Sequence, residues 1–417
     1  MTFGRGDLIM GATRKARMLA PVLGLALATA ACSSSAKTGS GSTGSSTTAS
    51  AGSGTSATTA AGGSSGYALA QARVAEFLQP PSSNLPVTTS LSAAPKKGLT
   101  IAYTWCAQVV CASIAQGIQQ AATAIGASFV AEHHQDTAST VSSAFDNALA
   151  ANPSMVLTSG DPEQWFASQA ATLTAKKIPL VAWSIPTGYE TSPFTANLIT
   201  NDDYFFDGVL EADYIAVQSQ GNAKILFEGV PQYPVLASEA SGFNYEISQA
   251  CPKCSVTSLD FSVQQLGAGD NVAATVSALQ KTPGITWMAA AFGGLVTPQV
   301  ASAVSAAGFG SLKAIEQAGT QSNFQMIANH QLDVADIGLP TAYLGWLAVN
   351  DGLLALSGQS IPKFTAPANT NIPGHPDILV SGLPTQIITA ADVPTGSDGF
   401  TPIPGFQAQF KKLWGLS

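Results

Sequence analysis

From residue 99 onward, short apolar runs alternate with amphipathic stretches of about 10–16 residues. The runs predict strands over 99–103, 128–131, 155–158 and 180–183, with a fifth over 195–199. Between them, apolar residues at helical spacing predict helices over 110–125, 140–151 and 163–175. Pro153 and Pro179 stand just ahead of two strands, where a helix must already have ended. The rhythm then restarts. Helices over 205–218, 235–250, 273–279 and 297–307 alternate with strands over 224–227, 256–261, 286–290 and 313–315. A last strong amphipathic helix over 343–356 is followed by a Pro-rich tail with one apolar run, 377–380.

Strands alternating with crossover helices build parallel βαβ units. Two such series of similar size predict an α/β protein of two doubly wound, Rossmann-like lobes. A ligand binds outside the carboxyl ends of parallel strands. Two facing lobes would therefore hold it in an interlobe cleft and close by a hinge. The expected division is a helix and extended lead-in over 66–97, an N-terminal lobe over 98–203 and a C-terminal lobe over 204–336. A crossover and returning helix over 337–362 and a tail over 363–417 lying across the lobes complete it.

The N-terminus reads differently. Arg5, Arg14, Lys15 and Arg17 precede an apolar run over 18–31, which predicts an export signal. The 14-residue run is too short to span a bilayer, which needs about 20 residues as a helix. The segment Leu27-Ala28-Thr29-Ala30-Ala31-Cys32 resembles a bacterial lipobox, although Thr29 departs from the usual Leu. That resemblance implies lipidation of Cys32 as the mature N-terminus. An ordinary signal peptide cut nearby, with Cys32 incidental, is the alternative. From Ser33 to Ser65 every residue except Lys37 is Ser, Thr, Gly or Ala, a composition expected to stay disordered. As a flexible coil this linker would span about 30 Å.

Without residues 1–31 the chain keeps 13 basic and 24 acidic side chains, a net charge of −11. That argues against nucleic-acid binding, which needs a basic footprint. Four cysteines besides Cys32 form two close pairs, Cys106 with Cys111 and Cys251 with Cys254. In a cytosolic chain Cys251-Pro252-Lys253-Cys254 would suggest redox chemistry or half a zinc site. The four histidines, His133, His134, His330 and His375, do not fall at zinc-ligand spacing. Outside the cell, two local disulfides are the plainer reading. No G-x-S-x-G, Walker A, H-E-x-x-H or dinucleotide fingerprint is present, so no enzyme, cofactor or metal is expected.

Several segments carry a family resemblance in order along the chain. They are the opening strand 98–105, the helical stretch 115–126, the segment 153–158, Ala175-Lys176-Lys177-Ile178-Pro179-Leu180-Val181, and the helix over 345–358 followed by Ile361-Pro362. Residues 98–362 resemble the type 1 periplasmic binding proteins, particularly the sugar-binding branch that feeds ABC transporters. The Cys251–Cys254 turn is similar to that of actinobacterial members. The resemblance implies a monomeric, extracytoplasmic solute-binding lipoprotein that delivers a small molecule to ABC permease subunits, anchored at the outer face of the bacterial cytoplasmic membrane. A sensor of the same fold signalling to a membrane histidine kinase is the alternative.

The same resemblance directs attention to the strand ends. Trp105 follows the first strand, Trp183 and Ser184 the fourth, and Asn201, Asp202 and Asp203 the fifth. Glu239 stands near the place of a customary Arg, and Phe292-Gly293-Gly294 replaces a customary Asn-Asp. Asp161, Tyr233 and Gln317 complete the candidate ligand contacts. Asp202 or Asp203 would equally serve to cap a following helix. Aromatic and apolar residues in place of hydroxyl-binding ones imply either a sugar-like ligand or a less polar, aromatic one, because buried unpaired polar groups are costly.

Overall fold

The computed structural model describes residues 65–188, 191–362, 370–396 and 399–416. The expectations for the export signal, Cys32 and the linker lie outside these residues, apart from Ser65, which opens the first helix. Helix α1 (Ser65–Phe77) leads to β1 (Thr100–Trp105), α2 (Val109–Ile125), β2 (Ser128–His133), α3 (Ala138–Ala150), β3 (Met155–Ser159), α4 (Ala167–Ala175), β4 (Leu180–Trp183) and β5 (Ala196–Asn197). These strands form one parallel sheet in the order β2-β1-β3-β4-β5.

The second series runs α5 (Asn201–Gln218), β6 (Lys224–Gly229), α6 (Pro234–Ala250), β7 (Ser255–Asp260), α7 (Val263–Ala268) and α8 (Asp270–Lys281). It continues through β8 (Trp287–Ala290), α9 (Pro298–Ala306), β9 (Lys313–Gln317), α10 (Gln321–Ala328) and β10 (Asp333–Ile337). Helix α11 (Thr341–Leu356), β11 (Ile387–Thr389) and α12 (Phe406–Leu413) close the chain. The second sheet has the order β11-β10-β9-β8-β6-β7, with only β11 antiparallel. Central strands such as β3, β4 and β8 are buried along their whole length, as a parallel sheet covered by helices on both faces requires.

Four local differences from the sequence reading have clear causes. The fifth strand contracts to two residues, because Asn197 Nδ2 donates to the carbonyls of Ile185 and Thr187 and the chain then turns into a helix cap at Thr200. The helix expected over 163–175 splits into a 3₁₀ turn, Glu163–Trp165, and α4. Phe166, at the break, turns inward and stacks on Phe145 with ring centroids 4.3 Å apart. Helix α5 starts at Asn201, earlier than expected, because Thr200 and Asp203 form a reciprocal capping box. Strand β10 carries Asp333 and Asp336 and so lacks an apolar run, although both acids are fully buried.

The tail joins the fold at several points. Its strand β11 extends the second sheet, and α12 packs on α11. There Trp414 stacks on Trp346 at 5.1 Å and 7°, and its indole N–H donates to Asn350. Near residue 380 the tail crosses the start of α5, where the Leu379 and Ser381 N–H groups donate to Asp202 and Asp203.

Candidate functional site

A cavity of about 80 Å³ lies where the carboxyl ends of the two sheets meet. Parallel strands end there without a partner for their last residues, so side chains just past each strand converge on it. The first lobe contributes the Cys106–Cys111 disulfide after β1, Ser159 at the end of β3, and Trp183 and Ser184 at the end of β4. The second contributes Tyr204 from α5, Tyr233 and Leu236 from the start of α6, Phe292 after β8 and Gln317 at the end of β9. Leu339, on the crossover ahead of α11, completes the wall. No side chain lining the cavity carries a full charge at neutral pH.

The polar groups are few and held in place. Ser184 has φ +58°, in the left-handed region that a residue with a Cβ rarely occupies. Its hydroxyl is 2.7 Å from that of Tyr204, joining β4 to α5. Ala318, also on the wall, has φ +54°. Such strained residues gather at binding sites when the surrounding structure overdetermines them. Gln317 donates from Nε2 to the Ala291 carbonyl at 2.9 Å. Beneath it Glu239 is fully buried. Burial, then the neighbouring Glu211 and Asp207 carboxyls, push Glu239 well above the ordinary range, while a hydrogen bond from Gln317 works the other way. Ionisation of Glu239, next to Gln317 of the cavity wall, is therefore disfavoured.

Of the residues singled out in the sequence, Trp183, Ser184, Tyr233, Phe292 and Gln317 line the cavity. The other five lie elsewhere. Trp105 is half-buried and turns its ring edge onto His133, 4.8 Å away. Asp161 faces His134 instead, with Oδ2 at 3.0 Å from Nε2. Asp202 accepts the Leu379 N–H at 2.9 Å, and the Asn201 carbonyl accepts the Ser238 hydroxyl. Glu239 sits one layer below the wall. Strand-end position alone could not separate these, because successive residues after a strand point in different directions. Tyr204, Gln108, Ser159 and the disulfide were missed as wall elements. Spacing could have found Tyr204, which lies three residues after Asn201 on the same helix face. Both cysteine pairs are disulfide-bonded, and the Cys251–Cys254 bridge closes the turn after α6.

Beside the cavity, His134 lies between Asp136 and Asp161. Burial opposes its charge, but its interactions with the two carboxyls outweigh that and push His134 up to about 9. The donor atoms of the three residues fall within 4.8 Å of one another. Nδ1 lies 3.1 Å from Asp136 Oδ1 and Nε2 lies 3.0 Å from Asp161 Oδ2, so carboxyls flank the imidazole on both sides. Asp136 also receives the Tyr233 hydroxyl at 2.8 Å and the Ala107 N–H at 3.2 Å. Burial works against ionisation of Asp136, but these bonds and His134 hold it below the ordinary range.

Residues 102–360 match the family described as periplasmic binding protein domain. No curated protein shows significant similarity to the chain. Among solved structures, a glucose-galactose binding protein from Geobacillus stearothermophilus is 17% identical, with TM-score 0.59 over 72% of this chain and all of that one. A 5-methylthioribose transporter solute-binding protein from Thermotoga lettingae is 15% identical, with TM-score 0.60 over 78% of this chain and all of that one. A Mycobacterium smegmatis ABC transporter solute-binding protein with bound glycerol is 14% identical, with TM-score 0.60 over 73% of this chain and all of that one. These similar proteins are solute-binding proteins, not enzymes. With a matched domain covering well over half its length and two parallel-sheet lobes meeting at a cavity, the chain belongs to the periplasmic binding protein domain family, in its type 1 architecture.

Proposed function

We propose that the protein captures a small, weakly polar solute between its lobes and delivers it to an ABC importer, while a lipid on Cys32 holds it at the outer face of the cytoplasmic membrane. The observation that carries the ligand class is the cavity wall. Trp183, Tyr204, Tyr233 and Phe292 surround it with aromatic surface, and the disulfide adds more apolar area. Its polar side chains are uncharged. A densely hydroxylated sugar would leave several hydroxyls without partners there, at a cost of about 1–3 kcal/mol each. The similar proteins include a glucose-galactose binding protein, a 5-methylthioribose transporter protein, and solute-binding proteins with bound allitol and with bound glycerol. Among these, a sugar carrying a methylthio group fits the present wall better than a free hexose. Among the described residues no helix is long and apolar enough to cross a membrane.

The test is a thermal-shift screen of the full chain with glucose, galactose, allitol, 5-methylthioribose and indole. A ligand at a hundred times its Kd stabilises the folded state by about 2.7 kcal/mol. Stabilisation by 5-methylthioribose or indole with none from the hexoses is expected. The reverse pattern would overturn the ligand class.

A further inference from the structure

We infer that Asp136 is a closure residue: it holds the two lobes together across the cleft by accepting the Tyr233 hydroxyl, and His134, clamped against Asp161, positions it. The inference rests on the two-lobed capture just proposed and adds a device that acts without ligand. Asp136 belongs to the first lobe, on the loop between β2 and α3. Tyr233 belongs to the second, where it immediately precedes α6. Their bond, Tyr233 Oη to Asp136 Oδ2 at 2.8 Å, links residues 97 positions apart in sequence.

The contact is built rather than incidental. Asp136, His134 and Asp161 are each 1% exposed. Asp136 has φ +52°, a left-handed backbone that turns its carboxylate back onto the Ala107 N–H. Its two oxygens divide the work, Oδ1 meeting His134 and Ala107 while Oδ2 is left for Tyr233. The other nitrogen of His134 lies 3.0 Å from Asp161 Oδ2, so the buried ring is flanked by a carboxyl on each side. A charged acceptor shielded from water makes a stronger bond to a phenol than a neutral one does. Opening the lobes would expose Asp136 to water and leave the Tyr233 hydroxyl without it. The latch therefore favours closure even when the cleft is empty, which lowers the reorganisation a weakly polar ligand must drive.

The titratable groups facing the latch are Tyr103 on β1, Asp161 after β3, and Tyr233 itself. Burial raises both tyrosines, so neither ionises in the accessible range. Burial also raises Asp161, against the pull of His134. His134 loses its charge as pH rises through about 9.

The experiment places spin labels through unnatural amino acids at Ser143 on α3 and Gln264 on α7, both exposed, in the full chain without added ligand. Double electron–electron resonance then reads the interlobe distance. The expected result is a dominant short distance at pH 7, with a longer population growing in Tyr233→Phe and in Asp136→Asn. In the otherwise unchanged protein the longer population should also grow above pH 9, and Tyr233→Phe should abolish that dependence. A structural role alone would lower thermal stability without moving the distance. An unchanged distance distribution in Tyr233→Phe, which removes one oxygen and preserves the ring, would overturn the inference even if Asp136→Asn fails to fold. Failure of the solute-binding reading would appear instead as an absence of any ligand response with the latch intact.

Discussion

Arg73 Nη1 lies 2.8 Å from Asp213 Oδ2, joining α1 to α5 in a site where neither side chain is exposed. Glu246 Oε2 on α6 approaches the same nitrogen at 3.3 Å. One cation thus serves two carboxyls, and burial, followed by repulsion from Glu246, pushes Asp213 well above its ordinary range despite Arg73. Removing the cation strands both acids. Arg73→Ala is expected to destabilise the fold by about 3–5 kcal/mol. Arg73→Met, which restores the packed volume, should cost clearly less at pH 5 than at pH 8, because burial favours the protonated form of Asp213. Urea unfolding at the two pH values checks this. Equal losses at both would remove the charge argument.

Helices α5 and α6 meet through Gly208 and Gly242. A Cβ on Gly208 would stand 2.1 Å from the Glu239 carbonyl oxygen, and one on Gly242 would stand 2.0 Å from that of Phe205. Both neighbours are backbone and cannot rotate aside. Gly208→Ala and Gly242→Ala should therefore each cost at least about 1–3 kcal/mol through helix displacement. Gly267→Ala on α7, where nothing lies within 4 Å, should be neutral or stabilising by up to about 1 kcal/mol. A calorimetric comparison of the three variants decides. A neutral Gly208→Ala would mean that the helices do not approach as described.

Buried acids without cations set the pH dependence of stability. Burial raises Glu228 to about 8 and Asp351 and Asp336 to about 7. Burial and neighbouring carboxyls raise Glu211 and Glu316 well above the ordinary range. An unfolded carboxyl ionises near 4. Between that value and the raised one, the folded state holds protons that the unfolded state has lost. Stability from these groups is therefore full at low pH and falls as pH rises toward 8. His134 adds to the fall, since its contribution is lost as pH rises through about 9. Only Asp136, held low, works in the opposite sense, and only in acid. The melting temperature should be higher at pH 5 than at pH 7 and lower again at pH 9. A flat profile would show that these acids have counter-charges in solution.

Periodicity made most of the fold legible. Strands such as β3 and β4 are unbroken apolar runs, and α2 repeats its apolar face from Cys111 through Ile114, Ile118 and Ile125. Less visible were elements whose partners lie far away in sequence. Strand β11 is three residues long and exists as a strand because β10 is there to pair with it. The site was legible in part for the same reason. Strand ends located Trp183, Ser184, Tyr233, Phe292 and Gln317, but direction after a strand end depends on local turns. The left-handed turn at Ser184 falls on a residue type with no glycine-like signature. The roles of Asp202 and Asp203 could not be divided in advance, because each receives an N–H from the tail.

By itself the sequence determined the alternating α/β architecture and the two lobes, and it directed attention to the strand ends where the cavity lies. Those properties follow from the spacing of apolar residues, which is local information. Tertiary structure decided which acids are buried and what they do. Asp136, Asp161, Glu239 and Asp336 are all plain carboxylates in the chain, with nothing local that separates their roles. Packed against an imidazole, a glutamine amide or other carboxyls, they diverge: Asp136 is held below the ordinary range, while Asp161, Glu239 and Asp336 are pushed above it. The difference is one of solvent and partner, and both are supplied only when distant segments meet.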